Sequence, residues 1–421
     1  MARQAALNQD SLRTHNIAVV LDCLLHTSTP MSRADIARAT GMTKAAISII
    51  VGHLIEHKVI QEGQPRRLEG TGKPSSPLEF APGTWAGLGI QVNTDGYGFT
   101  IEDFNGTALD HEWVDVSSAR HDRNEIFATL ERMVDTAVAK LKKRGTHIVG
   151  GGLAVPGMVS KDGELIEAPN LGWSHCNLTQ VSLVKKYSLT PLNEAKLAAA
   201  AQIRGFAIRD NGDKDNKDSD KNQKCSSSEG SRPFDSFIFI STDVGIGGAV
   251  VTHGNVDFGL NGVAGEIGHV CVDFHGDVCR CGRRGCLEMY AGRRAILSAA
   301  GCENAHTLNA QESFDWLSDK IIQQDEYSLK AIYAAQNAMA SAVVSAMNIC
   351  DITHIVIGGF WNRFAKDWSS RLIDRILSQS NSVHRKMLLV TPPRISQHAA
   401  LRGAAHYGLH RLVSQPEKFF A

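Results

Sequence analysis

Residues 265–288 read GEIGHVCVDFHGDVCRCGRRGCLE. His269 stands ten residues before Cys279, and Cys281 and Cys286 follow. Three thiolates and one imidazole form a closed tetrahedral set that suits zinc and leaves no open coordination position. The spacing therefore predicts a structural zinc site on His269, Cys279, Cys281 and Cys286. Gly282 and Gly285 would let the backbone fold around the ion, and Cys271 and His275 are possible substitute ligands. The chain holds nine cysteines in 421 residues, the others scattered, which is not a disulfide scaffold. With no apolar stretch in MARQAALNQDSLRTHN to act as an export signal, the expected compartment is a reducing cytoplasm.

Outward from this loop, the chain from residue 86 alternates apolar runs with helical patterns. GLGIQVNT, GFTIEDF, HIVGGGLAV, SFIFISTDVGIGGAVVT and HIVIGG read as strands. Residues 123–144, 195–208, 292–300 and 327–350 read as helices. This order predicts an α/β architecture. Residues 209–233 mix both charges with Asn, Ser and Gly and contain no aliphatic side chain, so they read as a disordered insertion. Lys+Arg and Asp+Glu both number 44, which excludes a protein that is basic overall but not a locally basic module. No run approaches the ~18 apolar residues of a membrane span, so no membrane partner is expected.

Residues 11–60 read as three helices. Ser32 caps the second, RADIARAT, with Asp35 three residues on; Gly41 stops it, and Thr43 caps the third, KAAISIIVGHLIEHK. Helices joined by a tight Gly-containing turn are the helix-turn-helix pattern, and VIQEG and PLEF are candidate strands of a wing. Ile47, Ile50, Leu54 and Ile55 would face the core. Thr43, Lys44, Ala45, Ala46, Ser48 and Ile49 would face the major groove of double-stranded DNA. Arg66, Arg67 and Lys73 supply a basic, Gly/Pro-rich wing suited to a minor groove. Residues 1–80 carry nine basic and seven acidic side chains, a modest footprint for DNA.

The strings GEIGH and CRCGRRGCLE resemble the signature of the ROK family of repressors, open reading frames and sugar kinases. The resemblance continues in VPGMV at 155–159, APNLGW at 168–173, LNEA at 192–195, GIGG at 245–248 and VIGG at 356–359. It implies an actin-like sugar-kinase (RNase H-like) fold of two α/β lobes over residues 86–410, preceded by an all-α winged helix-turn-helix with its linker over 1–80. The whole resembles the family's repressor branch, which includes xylose and N-acetylglucosamine repressors. By the same resemblance Gly157, Asn170, Asn193, Glu194, Glu266, His269 and Glu288 fall where a sugar is held, and fixed carboxylates and amides are the natural partners of vicinal hydroxyls. Asn193 also reads as the N-cap of the helix that follows it, with Glu194 in its first turn.

Three departures from the family's kinases bear on activity. Their first phosphate loop, acid-x-Gly-Gly-Thr, is here Gln91-Val92-Asn93-Thr94-Asp95. Their second places Gly-Thr where this chain has Asp243-Val244. The catalytic aspartate position holds Glu194. A phosphate cradle needs small residues and free N–H groups, and here acids stand instead. The expectation is a non-enzymatic repressor of carbohydrate genes, a homodimer or homotetramer that binds operator DNA under control of a sugar or sugar phosphate. The competing expectation is an active ATP-dependent sugar kinase with an accessory DNA module.

Overall fold

The computed structural model describes residues 9–27, 29–64, 76–118, 121–203 and 235–420. The expected insertion at 209–233 lies outside them in all its residues. Three helices open the chain: Gln9–Leu25, Arg33–Thr40 and Lys44–Glu56. Their boundaries follow from local chemistry. Ser32 and Asp35 form a reciprocal capping box, Gly41 takes a left-handed φ of 70°, and the Thr43 side chain accepts the Ala46 N–H. Ile60–Glu62 and Leu78–Phe80 pair antiparallel behind the third helix, and Met31 bridges to Leu78.

Two five-stranded sheets form the two lobes. In the first, Trp85–Asn93, Gly96–Asp103 and Ala108–Asp115 run as an antiparallel meander; His147–Val155 and Leu189–Asn193 add in parallel on the other side. In the second, Phe237–Thr242 and Ile246–Thr252 form a hairpin, and His354–Gly359 and Leu389–Thr391 extend it in parallel. The single strand read across 236–252 is thus two strands, reversed at Asp243–Gly245. A small sheet of Met158–Val159, Glu164–Ala168 and Trp173–Asn177 packs on the first lobe. The helix expected over 195–208 is Glu194–Ala200; residues 204–208 lie outside the described ones. The helices Arg123–Lys142, Arg293–Ala299 and Glu326–Cys350 match their apolar periodicity.

The helix Ala399–Ser414 ties the parts together. It lies across the first sheet, and at Gly403 a Cβ would stand 1.8 Å from the Leu197 carbonyl oxygen, so only glycine lets it touch the helix Glu194–Ala200. Its far end supplies Leu409, Leu412 and Val413 to the same hydrophobic cluster as Ile17, Leu21, Ile47 and Leu54 of the opening helices, with Trp85 and Val149 between. The three-helix module therefore has no core separate from the first lobe. Among the described residues no helix is long and apolar enough to cross a membrane.

Candidate functional site

Residues 265–288 fold as a knuckle against the second sheet. Val272 donates to the Gly285 carbonyl at 2.8 Å, Cys279 to Arg283 at 2.7 Å, and the backbones of Cys271 and Cys286 pair antiparallel. Gly285 sits at φ 64°, and a Cβ there would lie 1.6 Å from the Asp273 carbonyl oxygen. This folding brings donor atoms of His269, Cys279, Cys281 and Cys286 all within 4.8 Å of one another. Cys279 Sγ lies 3.8 Å from His269 Nδ1, and Cys281 Sγ lies 3.6 Å from Cys286 Sγ. Zinc with ligands at about 2.0–2.3 Å in a tetrahedron demands donor spacings of this size. Cys286 is fully buried and Cys279 nearly so. The four residues could hold one metal ion; Cys271 and His275, the possible substitutes, are not part of the group.

The knuckle faces a cleft between the lobes. Gly157, Asn170, Asn193, Glu194, Glu266, His269 and Glu288 all line it. Their roles differ from a simple ring of sugar contacts. Asn193 Oδ1 accepts the N–H groups of Ala195 and Lys196 at 2.9 and 3.2 Å, and its Nδ2 donates to the Gly157 carbonyl at 2.7 Å. Asn193 is therefore both the helix cap and the brace of the Gly157 turn, with its amide group engaged on both sides. Asn170 Oδ1 accepts from Arg280 at 3.3 Å across the mouth. Glu288 Oε2 accepts the backbone N–H of Ile246 at 3.0 Å, inside the glycine-rich turn 243–248. Burial raises the Glu266 carboxyl above its ordinary range, against the opposite pull of His269 and Lys196.

The cleft floor is acidic. Gln91 Nε2 donates to Glu194 Oε2 at 3.0 Å. Desolvation pushes Glu194 up to about 8, with the charges of Asp243 and Asp95 adding to the rise and the Gln91 hydrogen bond opposing it. Desolvation likewise pushes Asp243 up to about 6, against the attraction of Arg293. Arg293, 1 % exposed, binds both oxygens of Asp95 at 3.0 and 2.8 Å, and its N–H donates to the Asp243 carbonyl at 2.9 Å. The sequence reading missed Arg293; a basic pair at 293–294 opening an otherwise apolar helix was the available signal. It also missed Arg280 and Glu167, which line the cleft.

On the third helix and its cap, Thr43, Lys44, Ala45 and Ser48 are exposed and Ala46 is half-buried. Ile49 is 72 % exposed, whereas Ile47, Ile50 and Leu54 are buried and Ile55 is half-buried. Arg66, Arg67 and Lys73 lie outside the described residues.

Residues 226–410 match the ROK family model, and residues 16–63 match that of the IclR helix-turn-helix domain. Residues 226–410 thus form a ROK-type domain. The chain is 27 % identical to the xylose repressor of Bacillus subtilis over 299 residues, covering 69 % of each chain. It is 24 % identical to the xylose repressor of Caldicellulosiruptor bescii over 424 residues, covering 97 % of this chain and 99 % of the relative. Among solved structures, a ROK family transcriptional regulator described as a homologue of the E. coli MLC protein shares the fold over 97 % of this chain and 98 % of its own, with a TM-score of 0.72 and 20 % identity. A ROK family glucokinase from Streptomyces griseus, in complex with glucose and AMPPNP, covers only 76 % of this chain, with a TM-score of 0.56 and 19 % identity. The fold is thus the two-lobed ROK sugar-kinase fold with a helix-turn-helix in front.

Proposed function

We propose that this protein is a DNA-binding repressor of carbohydrate genes, controlled by a sugar in the interlobe cleft, and that it transfers no phosphoryl group. The observation that carries this reading is the shared core. Leu409, Leu412 and Val413 of the 399–414 helix pack among the opening helices, while Gly403 of the same helix rests on the helix that begins at Glu194 in the cleft. One helix therefore packs against both the DNA module and the helix whose first residue, Glu194, lines the cleft. A ligand that prefers one lobe arrangement shifts the other site by its differential affinity. Similarity to xylose repressors along almost the whole chain supports the same role.

Thr43, Lys44, Ala45, Ala46 and Ser48 present the recognition surface, and Arg66, Arg67 and Lys73 add positive charge for DNA. Two copies on a two-fold operator would place two such helices in successive major grooves. Glu266, Glu288, Asn170, Glu194 and His269 bind the sugar, and Gly157 and Asn193 shape its bed. Zinc, when bound at His269, Cys279, Cys281 and Cys286, supplies the fixed charge that holds this loop; the matching donor spacing supports that assignment. The acids at 95, 194 and 243 occupy the region where a transferred phosphate would need stabilisation, the largest catalytic contribution in phosphoryl transfer. Absence of membrane-spanning helices among the described residues fits a cytoplasmic regulator.

The test is fluorescence anisotropy on DNA from upstream of the gene itself, at fixed salt, with a panel of sugars. Release of bound DNA by one sugar is the expected result. ATP-dependent phosphorylation of any sugar in a coupled assay, lost in Glu194→Ala, would overturn the reading in favour of a kinase.

A further inference from the structure

Resting on the cleft as the effector site, we infer that its ligand is an uncharged, unphosphorylated sugar, and that the same sugar carrying a phosphate ester is rejected. The lining holds five carboxyl side chains, Glu167, Glu194, Asp243, Glu266 and Glu288, against a single arginine, Arg280 at the mouth. Of the other cations nearby, Arg294 feels Asp95 and Glu288 but does not line the cleft, and Arg363 donates to the Ala310 carbonyl and Gln311. Arg293 is buried and grips Asp95, and Lys196 is buried and donates to the Gly262 carbonyl.

A backbone donor in the cleft's glycine-rich turn is already taken. A glycine-rich turn usually receives an anion on its free N–H groups. Here the Ile246 N–H is already capped by Glu288 Oε2 at 3.0 Å, so the chain's own carboxylate fills that role. On the cleft floor, burial pushes Glu194 and Asp243 up, to about 8 and about 6, with Asp243 and Asp95 adding to the rise at Glu194 and Asp95 to that at Asp243, so a further negative charge is penalised there. A phosphate dianion meets the same penalty with two charges. Neutral hydroxyls meet none: carboxylates accept from them, and a protonated Glu194 donates.

The experiment is isothermal titration calorimetry on the full-length protein with matched pairs. These are xylose and xylose 5-phosphate, glucose with glucose 6-phosphate and glucose 1-phosphate, and N-acetylglucosamine with its 6-phosphate. Two glucose phosphates are needed because Arg280 could favour one end of the sugar. A parent sugar should bind, with each of its phosphates at least ~100-fold weaker, given the low effective dielectric of a buried acidic wall. In Asp243→Asn the gap should narrow by about tenfold as one charge is removed. A phosphate that binds as tightly as its parent overturns this inference while leaving the cleft as the effector site. A gap unchanged in Asp243→Asn overturns the electrostatic basis. Binding by no member of any pair overturns the proposed effector site itself, and this inference with it.

Discussion

Arg293 and Asp95 join the two lobes by an ion pair in which Nη2 donates to both carboxylate oxygens, at 3.0 and 2.8 Å, between residues 198 positions apart. The guanidinium is 1 % exposed and its Nε and Nη1 have no hydrogen-bond partner, so Asp95 is its principal compensation. Removing one partner of a buried pair leaves an uncompensated charge. Asp95→Asn should therefore destabilise the protein by about 3 kcal/mol, and adding Arg293→Met should recover most of the loss. Urea midpoints of the three proteins check this; a single variant as stable as the double would contradict it.

Glu194 gives a pH dependence of unusual sign. Its folded-state pKa is raised, to about 8 from 4.5, chiefly by desolvation. Its contribution is thus fully present below the unfolded value and lost as pH rises through the folded one, the reverse of a salt-bridged acid. Glu194→Gln should melt with the parent near pH 5 and about 2–4 °C above it at pH 9. A variant that gained stability towards acid would refute the assignment.

The metal loop should behave as a unit. Wild-type protein should carry one zinc per chain by elemental analysis, and Cys286→Ser none. Because the loop presents Glu266 and Glu288, metal loss should weaken sugar binding by about 10–100-fold, the usual cost of disturbing a metal site's surroundings. Unchanged affinity in the metal-free variant would separate the knuckle from the cleft.

The exposed face of the recognition helix yields a salt test. Lys44→Ala should lower affinity for specific and scrambled DNA alike and reduce the salt-dependence slope by about 0.9 for one lost phosphate contact. Ile49→Ala should leave the slope alone and weaken only the specific site, through a lost apolar contact to a base. Anisotropy titrations across several salt concentrations distinguish the two.

Gly403 offers a test of communication. A methyl there meets the Leu197 carbonyl at 1.8 Å, so Gly403→Ala must push the two helices apart at about 1–3 kcal/mol of stability. DNA binding should survive with sugar release blunted; full release by sugar would place the coupling elsewhere.

What was legible in the sequence was what local chemistry decides. Ser32, Asp35, Gly41 and Thr43 mark helix ends through hydrogen bonds within a few residues, and they stand where expected. The run His147–Val155 is buried after its first two residues and shows plainly as a strand. The strand Ala108–Asp115 was missed because it is a half-exposed sheet edge without alternation. The turn at Asp243–Gly245 was missed because apolar residues flank it on both sides. The 399–414 helix was missed because Gly403 and Gly408 argue against a helix locally, and their reason lies in contacts with Leu197 and Gly150. In the cleft, the motif residues were found together, but the Arg293–Asp95 pair and the engagement of Glu288 by Ile246 depend on distant segments meeting.

The core shared by the opening helices and the 399–414 helix also has a consequence for biosynthesis. A ribosome makes Ile17, Leu21, Ile47 and Leu54 early, yet their packing partners Leu409, Leu412 and Val413 emerge only after both lobes have been translated. The DNA-reading module cannot complete its interior before its sensor exists. A nascent or prematurely terminated chain would lack that part of the module's interior.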